Sequence, residues 1–227
     1  MQETLVTQIV SIVLLPIMEA KERILLKAHE LFNRYGIRSV SMDDIAAQLG
    51  MSKKTLYQYY TDKDELVKAV FTSVMEHNQS QCSIDQKRAE NPIHEVFLAF
   101  DMVKEMFANM NPSILYDMEK YHPITFKKFQ EYKNGFMYGL IRSNIERGMK
   151  EELYRSDIDV DICTRFRINS IMLSFDSEVY PNNRTHLVHI EQQLLELFLY
   201  GLATPKGQKL IQKYKNQRIK QQQNEKV

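Results

Sequence analysis

Residues 36–71 read GIRSVSMDDIAAQLGMSKKTLYQYYTDKDELVKAVF, and this stretch decides the fold of the first part of the chain. Ser41 and Asp44 have the spacing of a capping box, in which each side chain accepts the backbone amide of the other residue. They predict a helix that starts after Ser41. Gly50 predicts its end, because glycine adopts the left-handed backbone conformation of helix C-termini without a steric penalty.

A second short helix follows, and a longer one precedes the stretch. Ser52 predicts the cap of the second helix, whose buried side is expected to hold Leu56 and Tyr60, four residues apart. Upstream, residues 19–35 carry apolar side chains at helical spacing, and Gly36 predicts the end of that helix. Two short helices separated by a glycine-containing turn are typical of a helix-turn-helix motif. The sequence therefore predicts a three-helix head.

The second helix of the motif has a polar face that a hydrophobic core does not require. In such motifs the first residues of this helix reach base edges in the major groove, and here they are Lys53, Lys54 and Thr55. Lysine donates to guanine O6 and N7, and threonine offers a hydroxyl and a methyl group. The side chains suited to phosphate oxygens are Ser41, Ser52, Tyr57, Tyr59 and Lys63. The alternative is a solvated basic helix face with tyrosines as core filler, but caps, turn and polar tyrosines all favour DNA binding.

The stretch quoted above resembles the DNA-binding head of the TetR family of bacterial one-component transcriptional regulators. The resemblance covers roughly residues 20–70, and its specific part is SKKTLYQYYTDKDEL, residues 52–66. It implies an all-α homodimer on a palindromic operator, with an N-terminal helix-turn-helix head and a larger C-terminal helical-bundle body that binds a small effector and dimerises. Carried over by position, the resemblance implies the same base-contacting, phosphate-contacting and core residues as those assigned above. Many members have glycine or alanine where Lys54 stands, so the sequence departs from the family there.

Composition and charge agree with a folded helical protein that meets DNA. The chain has 227 residues, 44% of them hydrophobic and 26% charged, and only 7 glycines and 6 prolines, which favours long helices. The net charge of +1 hides an asymmetry: residues 18–63 carry eight basic and six acidic side chains, and residues 205–227 carry seven and one. The basic head and tail are compatible with nucleic acid, which the total alone would wrongly exclude.

The pattern divides the chain into four segments. Residues 1–17 are apolar but too short to span a bilayer, so we expect a poorly ordered extension; the alternatives are export and a cellular protein that begins at Met18. Residues 18–64 are predicted to form the helix-turn-helix DNA-binding domain. Residues 65–204 are predicted to form an effector-binding and dimerisation domain of five or six helices. Residues 205–227 form a basic tail that we expect to fray, because it has few apolar side chains.

The body offers a general indication about its ligand. Phenylalanine, tyrosine and methionine are dense between Val96 and Tyr138. A pocket for a lipophilic effector is lined in this way, because methionine adapts to irregular shapes. An ordinary helical core explains any single one of these residues as well, so the sequence assigns no ligand-binding residue.

Two apolar helices near the C-terminus predict a dimer interface. They cover residues 162–180 and 187–202, and each is apolar over more than one stripe. One stripe can pack on the body, and the other would be an exposed apolar patch of the kind that marks interfaces. Following the family, in which two helices from each subunit form the interface, we assign to it Leu187, Ile190, Leu194 and Phe198. The alternative is burial beneath other helices of the same chain.

The sequence shows no glycine-rich phosphate loop, no recognisable Ser-His-Asp arrangement and no complete set of metal ligands at familiar spacing. We therefore expect neither enzyme activity nor a cofactor, metal or membrane association. The function that the sequence predicts is a cytoplasmic, ligand-responsive regulator, most simply a repressor released from double-stranded DNA by a small molecule. The competing hypothesis is a helical effector-binding or enzymatic protein that keeps a degenerate DNA-binding head.

Overall fold

The computed structural model describes residues 19–181 and 183–224, without the side chains of residues 183–186 and 221–224. The predicted extension, residues 1–17, lies outside the described residues. Within them the regular structure is helical and no strand longer than an isolated bridge occurs, which confirms the predicted all-α class.

The helices are short in the first part of the chain and longer afterwards. A π-helical segment, Lys133–Met137, joins the seventh helix to the eighth. In chain order the α-helices of the described residues are α1 (Ala20–Tyr35), α2 (Met42–Gln48), α3 (Lys53–Tyr59), α4 (Lys63–Arg88), α5 (Pro92–Ala108), α6 (Ser113–Tyr121), α7 (Pro123–Tyr132), α8 (Tyr138–Lys150), α9 (Val160–Leu173), α10 (Asn183–Leu202) and α11 (Pro205–Asn224).

The number of helices in the body and one helix boundary differ from the prediction. Five or six helices were expected for residues 65–204, whereas seven, α4 to α10, are observed. Pro123 begins α7 and separates it from α6, because a proline ring is tolerated in a first turn but not inside a helix. The helix expected to reach Tyr180 ends at Leu173, because the Asp176 side chain accepts the amides of Glu178 and Val179 in a competing turn.

Contacts divide the chain into two compact units. The first contains the described residues up to Val74 together with Ser113–Phe126, and the second contains Met75–Pro112 and the residues from Lys127 onward. Helix α6 thus belongs to the same unit as the head, although more than thirty-five residues separate it in sequence from Val74. The functional division after residue 64 stays a prediction.

The first unit is held together by one apolar stripe from each of its first helices. Ile24 and Ala28 of α1, Ile45 of α2 and Leu56 of α3 have no exposed surface. Leu66 of α4 is equally buried. Burial of this kind contributes about 25 cal/mol per Å² of apolar surface, so these stripes fix how α2 and α3 lie on α1 and α4.

The second unit has two apolar clusters. The main core contains the buried residues Ile93, Phe97, Phe100, Ile145, Leu153, Tyr154, Leu195, Phe198, Leu199, Leu202, Ala203, Ile211 and Tyr214. The methionine-rich cluster contains the buried residues Phe107, Ile171 and Leu187, packed against Val103, Met106, Met110, Met137, Met172, Phe175 and Val188. The aromatic and methionine residues noted in the sequence therefore contribute to both clusters.

The expectation that the tail frays is wrong. Residues 205–224 form α11, with Ile211 and Tyr214 buried in the main core and Leu210 packed against it. Two of its basic residues find acidic partners on other helices: Lys215 pairs with Glu196 at 2.7 Å, and Arg218 pairs with Asp101. These partners lie far away in sequence, so composition of the tail alone could not reveal the packing.

Candidate functional sites

Helices α2 and α3 form the predicted helix-turn-helix, and its caps are as expected. The Ser41 hydroxyl accepts the Asp44 amide at 3.1 Å, and the Asp44 carboxylate accepts the Ser41 amide at 2.8 Å, which completes the capping box. Gly50 has a φ of 63°, in the left-handed region that glycine adopts most easily. The Ser52 hydroxyl accepts the Thr55 amide at 3.1 Å and so starts α3.

Helix α3 presents a polar face on the side opposite its buried residues. Leu56 has no exposed surface and Tyr60 is 3% exposed, as predicted. The residues predicted to meet DNA lie on the open side: Ser52, Lys53, Lys54, Tyr57 and Tyr59 are exposed and Thr55 is half-buried. The tyrosines are 40% and 38% exposed, so they are not core filler. This arrangement leaves a row of hydrogen-bonding groups available to a ligand along α3.

The predicted phosphate role of Ser41 conflicts with its bonding. Its hydroxyl donates to Asp44 Oδ2 at 2.6 Å while accepting the Asp44 amide, and its own amide is also bound by Asp44. A serine hydroxyl has one hydrogen to donate, so Ser41 has none for a phosphate while the cap is intact. Ser52 differs from Ser41. Its hydroxyl and the Thr55 hydroxyl form one hydrogen bond with each other, at 2.8 Å, so one of their two hydroxyl hydrogens remains free to donate to a phosphate.

Lys53 has a partner that the sequence did not indicate. Its Nζ lies 2.8 Å from Oδ1 and 2.9 Å from Oδ2 of Asp43, on the first turn of α2. The hydrogen bond to Asp43 and its negative charge raise the pKa of Lys53 above its ordinary value. The same Nζ lies 5.9 Å from the centre of the Tyr57 ring. Sequence spacing could not reveal this contact, because it depends on how the turn orients α2 against α3.

Lys63 has a partner within the head that the sequence did not indicate. It was assigned to phosphate, but its Nζ donates to the Ile37 carbonyl oxygen at 2.6 Å. Asp117 of α6 accepts the neighbouring Arg38 amide at 3.0 Å and contributes negative charge near Lys63. Burial is the larger effect, and it lowers the pKa of Lys63 below its ordinary value. Lys63 and Asp117 thus both bind the backbone of the loop between α1 and α2, and so help to position the start of the helix-turn-helix.

We expect Lys63→Met, which keeps the aliphatic stem, to lower the free energy of unfolding by about 1 kcal/mol. A hydrogen bond to a charged group contributes about 1.5–3 kcal/mol, and partial exposure of Lys63 reduces that value. Chemical denaturation followed by circular dichroism measures the change. The control is Lys54→Met, which removes an exposed lysine and should stay within about 0.5 kcal/mol of the wild type. Unchanged stability, together with a DNA-binding salt slope lowered by roughly 0.9, would restore the phosphate role.

The predicted dimer-interface residues fall into two groups. Leu187 and Phe198 are 2% and 7% exposed and pack in the methionine-rich cluster and the main core of their own chain. They therefore have little free surface to offer a second copy. The helical period alone does not tell which apolar stripe faces the chain's own core. Ile190 and Leu194 are half-buried, on the stripe that also holds Leu197, which is 72% exposed.

Helix α9 has an exposed apolar stripe of its own. Ile162 is 65% exposed, Phe166 is 59% exposed and Leu173 is 38% exposed, at positions i, i+4 and i+11 of one helix face. Both helices chosen from the sequence as apolar on two sides thus have an uncovered apolar face in the single chain.

A buried ion pair lies between α9 and α10. Arg167 binds Glu191, whose side chain has no exposed surface, and it also donates to the Ser170 hydroxyl at 3.2 Å. One carboxylate oxygen of Glu191 has no hydrogen-bond partner. Burial raises the pKa of Glu191, and Arg167 opposes that shift. Arg167 lies one helical turn from Ile171 on α9, and Glu191 lies one turn from Leu187 on α10. The pair therefore borders the methionine-rich cluster.

A surface cavity of about 430 Å³ lies beside the π-helical segment. Its lining is mostly polar and comprises Lys133, Asn134, Tyr138, Arg165, Ile168 and Asn169. Among residues 19–181 and 183–224, no group of three or more His, Cys, Asp or Glu side chains is arranged to hold a metal ion. No helix in the same part of the chain is long and apolar enough to cross a membrane.

Comparison with known proteins identifies the head and the overall fold. The family described as bacterial regulatory proteins, tetR family, matches residues 24–70. An uncharacterized HTH-type transcriptional regulator of Bacillus subtilis, YvaF, is 29% identical over 80% of this chain and 95% of its own length. The crystal structure of a TetR-family regulator from Marinobacter aquaeolei covers 88% of this chain and 98% of its own, with a TM-score of 0.70 and 18% identity.

A second solved structure is the ketosteroid transcriptional regulator KstR2 of Mycobacterium tuberculosis. It covers 82% of this chain and 96% of its own, with a TM-score of 0.58 and 20% identity. At this identity the likeness concerns the fold, whereas the matched head also carries the motif. The head therefore matches the tetR family of bacterial regulatory proteins, and the chain is similar in sequence to helix-turn-helix transcriptional regulators and in fold to TetR-family regulators.

Proposed function

We propose that the protein is a homodimeric repressor that binds a palindromic operator in double-stranded DNA and leaves it when a small effector binds the body. The observation that carries the proposal is α3: it is anchored by the fully buried Leu56, and it presents its polar face outward. A degenerate head would have no reason to keep that face. The place of action that follows is the cytoplasm, where the operator DNA is.

The proposal divides the outward side chains by role. Lys53, Lys54 and Thr55 occupy the first turn of α3 and would reach base edges, as the first residues of a recognition helix do. Tyr57 and Tyr59 lie further along the helix and would donate their hydroxyls to phosphate oxygens, which position the helix.

Dimerisation would use the uncovered apolar faces of α9 and α10. Phe166 and Leu197 are, with Ile162, the most exposed of the described large apolar side chains on the two helices, and both lie in the second unit. A monomer that exposed both stripes to water would carry an apolar patch of the kind that marks interfaces. A two-fold axis that packs α9 and α10 of one protomer against α9 and α10 of the other would bury both stripes at once. The same two-fold symmetry is found in a palindromic operator.

A lipophilic effector fits the chemistry of the methionine-rich cluster. Its side chains include four methionines, which can repack around an apolar molecule, and the Arg167–Glu191 pair borders it with polar groups. The polar surface cavity beside the π-helical segment suits such a molecule less well. The ketosteroid named for one regulator of the same fold is a lipophilic compound, which supports this class of effector without identifying it.

The test is selection of bound duplexes from a random pool by the purified full-length protein. We expect enrichment of an inverted repeat, because two heads related by a two-fold axis read the same half-site in opposite directions. A scrambled duplex of equal composition is the control in a gel shift. Mass spectrometry of the native protein then tests for a co-purified lipophilic molecule, and adding the identified compound should release the operator. Absence of any enriched sequence would contradict the proposed function.

A further inference from the structure

The contact between Asp43 and Lys53 joins the two helices of the motif. Asp43 stands on the first turn of α2 and Lys53 is the first residue of α3. Both carboxylate oxygens engage one ammonium group, at 2.8 and 2.9 Å, and the centre of the Tyr57 ring lies 5.9 Å from the same nitrogen. The flexible lysine thereby has one preferred partner, on the neighbouring helix.

The fold itself does not require this contact. The start of α2 is capped by Asp44 with Ser41, so the neighbouring carboxylate is free for another role. The side chains of Asp43 and Lys53 are each 60% exposed, and an ion pair at such a position contributes little to stability. An acidic side chain beside a helix that binds a polyanion also opposes DNA binding. An acidic residue in the first turn of α2 suits the helix dipole, and its contact with Lys53 adds a link to the helix proposed to read DNA.

The role of this link follows from what a lysine does without a partner. The side chain has a long flexible stem and a point charge, so it can reach a phosphate on any duplex as readily as a base. Lysine has three N–H donors. A carboxylate that binds the ammonium leaves at least one donor for guanine O6 or N7, while it neutralises the charge that attracts phosphate. Lys54 provides the contrast, because it has no ion pair with any residue in the part of the chain that the structure describes.

We propose that Asp43 is a positioning residue for sequence recognition: it holds the Lys53 ammonium at the base edges and keeps it from binding phosphate on unrelated DNA. The inference rests on the proposed DNA-reading role of α3. Asp43 would lower the affinity for every duplex through its charge, and it would lower the affinity for unrelated duplexes further by keeping Lys53 occupied. Specificity increases when a protein weakens the wrong complex more than the right one.

The test uses the full-length protein, the selected operator and a scrambled duplex, each titrated over a series of salt concentrations. For Asp43→Asn we expect binding to the scrambled duplex to tighten roughly twofold to fivefold for each head. Its salt slope should steepen by roughly 0.9 for each head, since the released Lys53 takes a phosphate. Operator binding should gain less, so the ratio of the two affinities falls. Asp43→Glu, which keeps the carboxylate, should retain most of the wild-type ratio.

Two controls separate positioning from charge alone. Glu119→Gln removes one exposed carboxylate from the same unit and should change neither the affinity ratio nor the difference in salt slope. In a Lys53→Ala background, Asp43→Asn should no longer change the ratio. Equal tightening on both duplexes, or the same loss of ratio without Lys53, would overturn the inference. A wild type that prefers no duplex would overturn the proposed function as well, so the two failures are distinguishable.

Discussion

Arg167→Met is expected to lower the free energy of unfolding by about 3–5 kcal/mol, because it leaves the Glu191 carboxylate buried without a counter-charge. Glu191 has no exposed surface, and one of its oxygens already lacks a partner. A single domain is typically stable by only about 5–15 kcal/mol, so the loss is large. Guanidinium denaturation, monitored by circular dichroism, measures it.

The double variant Arg167→Met/Glu191→Leu is the matched control. Replacing both members of a buried pair by apolar side chains of similar size is often neutral or stabilising, so most of the lost stability should return. If the double variant is as unstable as Arg167→Met alone, packing around Arg167, including the Phe198 ring 5.8 Å away, and not the unpaired charge, explains the loss.

The pH dependence gives a second measure of the same charge. Burial raises the pKa of Glu191 in the folded protein, and loss of Arg167 removes the main opposing influence. A carboxyl group whose folded pKa exceeds its unfolded pKa binds protons more tightly in the folded state. Relative to the double variant, Arg167→Met should therefore become more stable as the pH falls from neutral through the folded pKa of Glu191. A pH-independent difference between the two variants would contradict this origin.

The head could be predicted from sequence because local signals decide it. Ser41 with Asp44, Gly50, Ser52 and the spacing of Leu56 each specify a cap, a turn or a buried side within a few residues. The all-α class and the motif followed from them, and the structure confirms both. The exposed side of α3 could be predicted as well, because the spacing of Leu56 and Tyr60 predicted its buried side.

The remaining features depend on contacts between distant residues. The pairing of Lys53 with Asp43 and the turning of Lys63 to Ile37 depend on side-chain directions across the motif, which spacing does not encode. The packing of α11 depends on partners such as Glu196. The helical period showed that α10 is apolar on two sides but not which side faces its own core, so the burial of Phe198 in that core could not be predicted.

The exposed stripes of α9 and α10 provide a sharper test of assembly than the residues chosen from sequence. A glutamate at Phe198 would place a carboxylate inside the main core and unfold the protomer, whatever the oligomeric state. Phe166 and Leu197 are 59% and 72% exposed, so a glutamate at either position is solvated in the single chain. Only burial against a second copy makes these substitutions unfavourable, by several kcal/mol for a desolvated carboxylate.

We therefore expect Phe166→Glu and Leu197→Glu to give folded monomers in sedimentation-velocity experiments at concentrations where the wild type is a dimer. Operator affinity should fall roughly 100-fold to 10,000-fold, because a single head loses the effective concentration that links two half-sites. The matched control is Ile124→Glu. Ile124 is 70% exposed, but it belongs to the first unit, whereas both stripes belong to the second. It should remain a dimer with wild-type operator affinity. Dimers of Phe166→Glu and Leu197→Glu with intact operator binding would show that the two heads are brought together by another surface, and the uncovered stripes of α9 and α10 would then need a different partner.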